Sequence, residues 1–349
     1  PVAAAIGAVL LLWPSAAFLL TAAVIPVERL GRLTDDSAMY TISLMRIVGT
    51  LALASFLLHA LVRRQRIHFG GAFWLYALYF AIAMLGLLHT SDQLGTVRAM
   101  GAILGNLLFF WLVINLGRDT RLAQWALLVW LGSTVLAGLY TIYGWHFGDS
   151  VNWDDLARTQ NRFSAVLADD SELDALDVVA RATGPTSHSA VYGINLLLAV
   201  PMFFFFIKHG GSRALKAALW IGRAITLYNV TLTNTRATML LAALVVLLCG
   251  LRGLYRFTPA GLVAAAIAGA AMLPLVPEAV WNRVLDPANY TVRQSATLRI
   301  RFEYWEAGLA VIRDHWATGV GVGNQSEVPR YIKVSGPEQT TVHNDYIQT

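Results

Sequence analysis

Ser189-Ala190-Val191-Tyr192-Gly193-Ile194-Asn195-Leu196-Leu197-Leu198-Ala199-Val200-Pro201-Met202-Phe203-Phe204-Phe205-Phe206-Ile207 carries no charge and gives way at once to Lys208-His209-Gly210-Gly211-Ser212-Arg213-Ala214-Leu215-Lys216. An uncharged apolar run of this length, coiled as a helix, matches the thickness of a bilayer core. Cations at its end are the mark of a membrane crossing. Eight more stretches of the same kind can be marked, so the nine lie near 2–26, 39–62, 69–88, 97–117, 122–145, 189–207, 214–232, 235–251 and 257–275. Gly, Ala and Ser recur inside them, as helices packing closely in lipid require.

Composition agrees with this reading. Of 349 residues, 56% are hydrophobic and 13% charged, with a mean hydropathy of +0.56. A soluble domain carries roughly 25% charged residues, and half that density cannot cover a water-exposed body. The net charge of +5 does not point to nucleic acid, because the cations sit at the ends of apolar runs. The single cysteine, Cys249, excludes a disulfide framework or a thiolate metal site. The opening run Val2–Val27 has no basic region before it and no clear cleavage site, so no cleavable signal peptide is expected. The expected architecture is one membrane domain over 1–349.

The connections set the orientation. Arg63-Arg64-Gln65-Arg66, Arg118 to Arg121, Lys208 to Lys216 and Arg252 to Arg256 follow the second, fourth, sixth and eighth runs. All four therefore fall on one side, expected to be the cytoplasm. Two long loops, about 144–188 and 276–349, fall on the other. The first is acidic, and its pairs Asp154-Asp155 and Asp169-Asp170 read as solvated surface rather than metal ligands. Loops of this length inside a compact protein are usually functional. The ending His343-Asn344-Asp345-Tyr346-Ile347-Gln348-Thr349 resembles the entry to another helix, so further segments are expected to follow it.

Several outer-side residues could carry chemistry. Arg236, in Thr233-Asn234-Thr235-Arg236-Ala237, opens the eighth run; Thr235 and its neighbours surround an outward helix N-terminus with polar groups, a favourable place for an anion. Arginine binds phosphate oxygens bidentately. In the second loop an amphipathic helix is expected over Thr297–His315, with Phe302, Trp305, Leu309 and Ile312 as its apolar stripe. Arg299 has Glu303 four residues on and reads as an ion pair. Arg301 has Trp305 there instead, which makes it the better anion ligand. Glycines alternate in Thr318-Gly319-Val320-Gly321-Val322-Gly323-Asn324, predicting a tight turn. His343 is the candidate general base, since an imidazole titrates near neutrality; Asn344 adjoins it. Arg46, about two turns inside the second run, and Arg181, just ahead of the sixth, are further substrate-binding candidates.

The ordered set Thr233-Asn234-Thr235-Arg236-Ala237, Arg301-x-x-x-Trp305-x-x-Gly308-Leu309, Asp314-His315-x-x-x-Gly319-x-Gly321-x-Gly323-Asn324 and His343-Asn344-Asp345-Tyr346 resembles the O-antigen ligase and polymerase superfamily. Arg181-Ala182-Thr183-Gly184 before a membrane helix is similar to the same family. The chain departs from it at Trp316, where the family often has proline. The resemblance implies an all-α, GT-C-like bundle in the bacterial inner membrane with its active site on the periplasmic face. It implies an inverting, metal-independent glycosyltransferase with no cofactor. The implied donor is an undecaprenyl-pyrophosphate-linked glycan and the implied acceptor the lipid A-core oligosaccharide, both within reach of membrane lipids. Arg236 and Arg301 would hold pyrophosphate, with Arg46, Arg181, Thr235 and Asn344 assisting, and His343 would be the base. The alternatives are an O-antigen polymerase, a ligase for another acceptor and, from a different class, a transporter of lipid-linked glycans.

Overall fold

The computed structural model describes residues 2–27, 43–147, 182–186, 189–255, 296–316 and 319–324, with isolated positions between 258 and 331. Residues 2–6, 236 and 296–301 are described by their backbone alone. The protein is an all-α polytopic membrane protein. Its helices are α1 Val2–Leu12, α2 Pro14–Val24, α3 Leu44–Val62, α4 Gly71–Leu85, α5 Gln93–Leu116, α6 Thr120–Phe147, α7 Ser189–His209, α8 Arg213–Leu232, α9 Arg236–Leu251 and α10 Ala296–Asp314.

Among the described residues, five helices are long and apolar enough to cross a membrane: α3, α4 with its 3-10 extension to Leu88, α5, α6 and α7. Pro14–Val27 and Ala237–Leu251 are shorter apolar helices. The 20-residue α8 is not among the five, because Arg213, Lys216 and Arg223 lower its hydropathy. The first apolar run, read as one segment, is two helices. Pro14 opens α2 behind the non-helical Trp13; proline has no N–H for the preceding turn and suits a first helical position. The ninth run, 257–275, lies outside the described residues apart from isolated positions.

By packing, the chain divides into two compact units: 1–55, 119–157 and 177–285 form the first, and 56–118, 158–176 and 286–349 the second. In the first unit α7 is half buried, and small residues let the backbones close in. A Cβ on Gly138 of α6 would meet Asn229 Nδ2 of α8 at 2.9 Å, and one on Gly222 of α8 would meet Phe203 of α7 at 3.0 Å. Lipid supplies no hydrophobic drive between helices, so such close packing and hydrogen bonds hold them. Tyr192 Oη donates to Asn229 Oδ1 (2.9 Å), and Asn229 Nδ2 donates to the carbonyls of Gly138 (3.2 Å) and Ile225 (2.8 Å). That satisfied polar group ties α6, α7 and α8 together.

The first unit has two distinct ends. At one, Lys208 Nζ donates to the Gly253 carbonyl at 2.6 Å, joining the basic connections after α7 and α9. At the other, the C-termini of the parallel α6 and α8 lie side by side with the start of α9.

In the second unit α4 and α5 form a hairpin. Asp92 caps α5 by accepting from Gly95 N–H at 2.8 Å. Near the opposite end, Phe69 stacks on Trp111 with ring centroids 5.5 Å apart. Asn115 exchanges hydrogen bonds with the His68 backbone (2.9 and 3.1 Å), which fixes the basic connection before α4. The outer face of α4 bears exposed Trp74, Leu75, Leu78, Ile82 and Leu85, as a helix solvated by lipid should.

Candidate functional site

The polar stretch before α9 forms a tight turn at the end of the first unit away from the basic connections. Thr233 is fully buried, and its Oγ1 donates to the Val230 carbonyl at 2.8 Å. Thr235, the N-cap of α9, spends its hydroxyl on the Thr233 carbonyl at 3.0 Å, and its side chain makes no capping hydrogen bond to the first N–H groups of α9. Arg236 is the first residue of that helix. A helix start without a side-chain cap, with an arginine in its first turn, suits an anion.

Asn234 is the unusual member. It is left-handed (φ 45°) and 1% exposed, and both its amide oxygen and its amide nitrogen are buried without a hydrogen-bond partner. Asparagine tolerates this backbone region better than most residues. An unmet buried amide is a standing cost, of about 1–3 kcal/mol. Strain and unsatisfied polarity of this kind gather at binding sites.

A second stretch that the sequence singled out arrives at the same turn. Ala182 N–H donates to the Leu232 carbonyl at 2.9 Å. Gly184, left-handed at φ 55°, brings its backbone so close to Tyr192 that a Cβ would sit 2.7 Å from the ring. The residues following Arg181 are thereby fastened four positions ahead of Arg236. Sequence reasoning missed a neighbour here: His146, near the end of α6, bonds through Nε2 to Tyr228 Oη at 2.7 Å, with the two rings stacked. No local motif marks that pair, whose residues lie far apart in the chain.

In the second unit, α10 runs from Ala296 to Asp314, within a residue of the expected helix, and Arg301 falls in its second turn. The apolar stripe faces outward. Tyr304, Ala307 and Val311 are buried, whereas Phe302, Leu309 and Ile312 are exposed and Trp305 is half-buried. The helix buries the adjacent face and leaves the bulky apolar one outward. Burial, and then the neighbouring Glu303 charge, raise the Tyr304 hydroxyl above its ordinary range.

The alternating glycines do form a turn, with φ of 63°, 91° and 74° at Gly319, Gly321 and Gly323. It docks on the α4–α5 connection. A Cβ on Gly86 would meet the Gly321 Cα at 3.0 Å, and one on Gly323 would meet the Gly95 carbonyl at 2.8 Å. Asn324 Nδ2 donates to Ser91 Oγ (3.1 Å) and to the Val320 carbonyl (2.7 Å).

Arg46 differs from expectation. The described helix α3 begins at Leu44, which puts Arg46 in its first turn and exposed rather than two turns inside. Arg181, His343, Asn344 and the two acid pairs lie outside the described residues, as do the side chains of Arg236, Arg299 and Arg301.

Residues 221–349 match the O-antigen ligase family model. The match is consistent with an O-antigen ligase family member. It begins within α8 and takes in the Asn234 turn, Arg236, Arg301, the glycine turn, His343 and Asn344; Arg46 and Arg181 precede it. No curated protein matches the chain, and no solved structure does.

Proposed function

We propose that this protein is an O-antigen ligase: a GT-C-like glycosyltransferase of the bacterial inner membrane that moves a glycan from undecaprenyl pyrophosphate to the lipid A-core oligosaccharide on the periplasmic face. The observation that carries this reading is the family match over 221–349, which holds Arg236, Arg301 and His343 in the order the sequence displays them. The turn before Arg236 supports it, since it offers a helix start and a strained amide at the end opposite the basic connections. Charge counting assigns that end to the outer side.

The chemistry follows from the donor. The acceptor hydroxyl oxygen attacks the anomeric carbon from the face opposite the leaving group, and the bond from that carbon to the pyrophosphate oxygen breaks. Undecaprenyl pyrophosphate departs with the electron pair, and His343 takes the hydroxyl proton, giving inversion. Negative charge grows on the leaving oxygen, so the cations Arg236 and Arg301 favour the transition state over the ground state. Arg46, Arg181, Thr235 and Asn344 are assigned to substrate contacts. Fixed guanidinium groups perform the work that a divalent metal does in many nucleotide-sugar enzymes.

The test is transfer with purified protein, donor and lipid A-core in the presence of EDTA. The expected result is a new glycan–lipid A-core product; joining of two donor glycans instead would make the protein a polymerase. Arg301→Ala is expected to abolish transfer in a folded protein. His343→Ala is expected to lose turnover while retaining donor, and an equal loss of donor affinity would reassign it to binding.

A further inference from the structure

Arg223 stands mid-way along α8, a position the reaction above does not use. Its guanidinium carbon lies 3.8 Å from the Trp220 ring centroid and 4.7 Å from that of Phe204. Its Nε is buried without a hydrogen-bond partner, and no described carboxylate forms an ion pair with it. Both rings lie within cation–π distance of the guanidinium, whose N–H donors point outward in its own plane and are left for an acceptor.

Three other residues extend this feature. Arg213, Lys216, Trp220 and Arg223 stand at i, i+3, i+7 and i+10, which on a helix confines them to one face. Arg213 and Trp220 are exposed, and Lys216 and Arg223 half-buried. Ala217 and Ala224, at i−3 and i+4 from Trp220, are also exposed, so small side chains flank the ring along the helix. Helical side chains lean toward the N-terminus, so the Arg223 guanidinium reaches back toward Trp220, Lys216 and the basic end of the unit. Cations, an exposed tryptophan and small alanines sharing one side of the helix suit a phosphate with its acyl chain alongside. A free anion has no reason to leave water for the side of a lipid-solvated tryptophan.

We propose that this face of α8 binds the phosphate of an anionic phospholipid in the leaflet at the basic end, the cytoplasmic one by charge counting. The site is independent of glycosyl transfer and stands whether or not the ligase reading does.

The experiment is thermal unfolding of the purified full chain in detergent, titrated with phosphatidylglycerol, with phosphatidylcholine of the same acyl chains, and with inorganic phosphate. Phosphatidylglycerol is expected to raise the wild-type Tm saturably, and the other two to leave it unchanged. Arg223→Gln is expected to raise the half-saturating phosphatidylglycerol concentration at least fivefold, and Arg223→Lys by less. Should Arg223→Gln not fold, Lys216→Gln is expected to weaken the response at least twofold. No Tm shift in the wild type, an equal shift with inorganic phosphate, an Arg223→Gln response like the wild type's, or an unchanged Lys216→Gln response would each overturn the proposal.

Discussion

The contributions of the Asn234 backbone and side chain can be separated by mutation. Asn234→Gly keeps the left-handed φ of 45° at no steric cost and removes the unmet amide. In the folded protein it is expected to be neutral or stabilising by about 1 kcal/mol. If the amide serves a substrate group, transfer falls at least tenfold in that same variant. A rise in Tm with full transfer would reduce Asn234 to a turn former. Only part of this was legible in the sequence. Thr233-Asn234-Thr235-Arg236 announces a polar helix start by residue type, but a positive φ and an unpaired amide depend on what Thr233, Thr235 and Leu232 do with their own hydrogen bonds. The His146–Tyr228 pair was illegible for a related reason, since a stacked pair 82 positions apart has no local pattern.

At the scale of elements, the glycine turn that follows α10 is a clamp on the α4–α5 connection. Gly323 has φ 74°, and a Cβ there would lie 2.6 Å from the Ala99 Cβ and 2.8 Å from the Gly95 carbonyl. Backbone cannot retreat as a flexible side chain can. Gly323→Ala is therefore expected to destabilise the docked turn by about 1–3 kcal/mol. Faster amide hydrogen exchange at 319–324 and 90–96, with α7–α9 unchanged, is the measurement. Unchanged exchange at 90–96 would mean that the turn does not hold that connection. The sequence anticipated both α10 and the turn, from helical spacing and alternating glycines. Periodicity located the apolar stripe of α10 but could not say which face packs on protein, because it reports apolar residues without saying what solvates them. In a membrane protein the bulkiest apolar stripe is free to face lipid, while small and aromatic residues such as Ala307 and Tyr304 face protein. Arg46 was set too deep for a similar reason: the apolar count runs on from 39, but the described helix starts at Leu44.

Across the whole molecule, sidedness is the property on which the chemistry depends, and charge at the helix ends is its physical cause. Each basic connection resists crossing the bilayer, so 63–66, 118–121, 208–216 and 252–256 should share the cytosol. The α4–α5 connection, the α9 start and the segment after α10 should then share the outside. The native thiol, Cys249, is buried in α9, so Cys249→Ala gives a clean background for new cysteines. Gln65→Cys and Gly211→Cys report the basic end; Gln93→Cys and Trp316→Cys report the other, and all four positions are exposed. A membrane-impermeant maleimide on intact cells with a permeabilised outer membrane is expected to label 93 and 316, and to reach 65 and 211 only after the inner membrane is opened. Labelling of 93 and 211 from the same side would break the alternation of α4 through α8. Labelling of 316 from the cytosol alone would remove α10, and Arg301 with it, from the leaflet where a polyprenyl pyrophosphate and an incoming core sugar could meet.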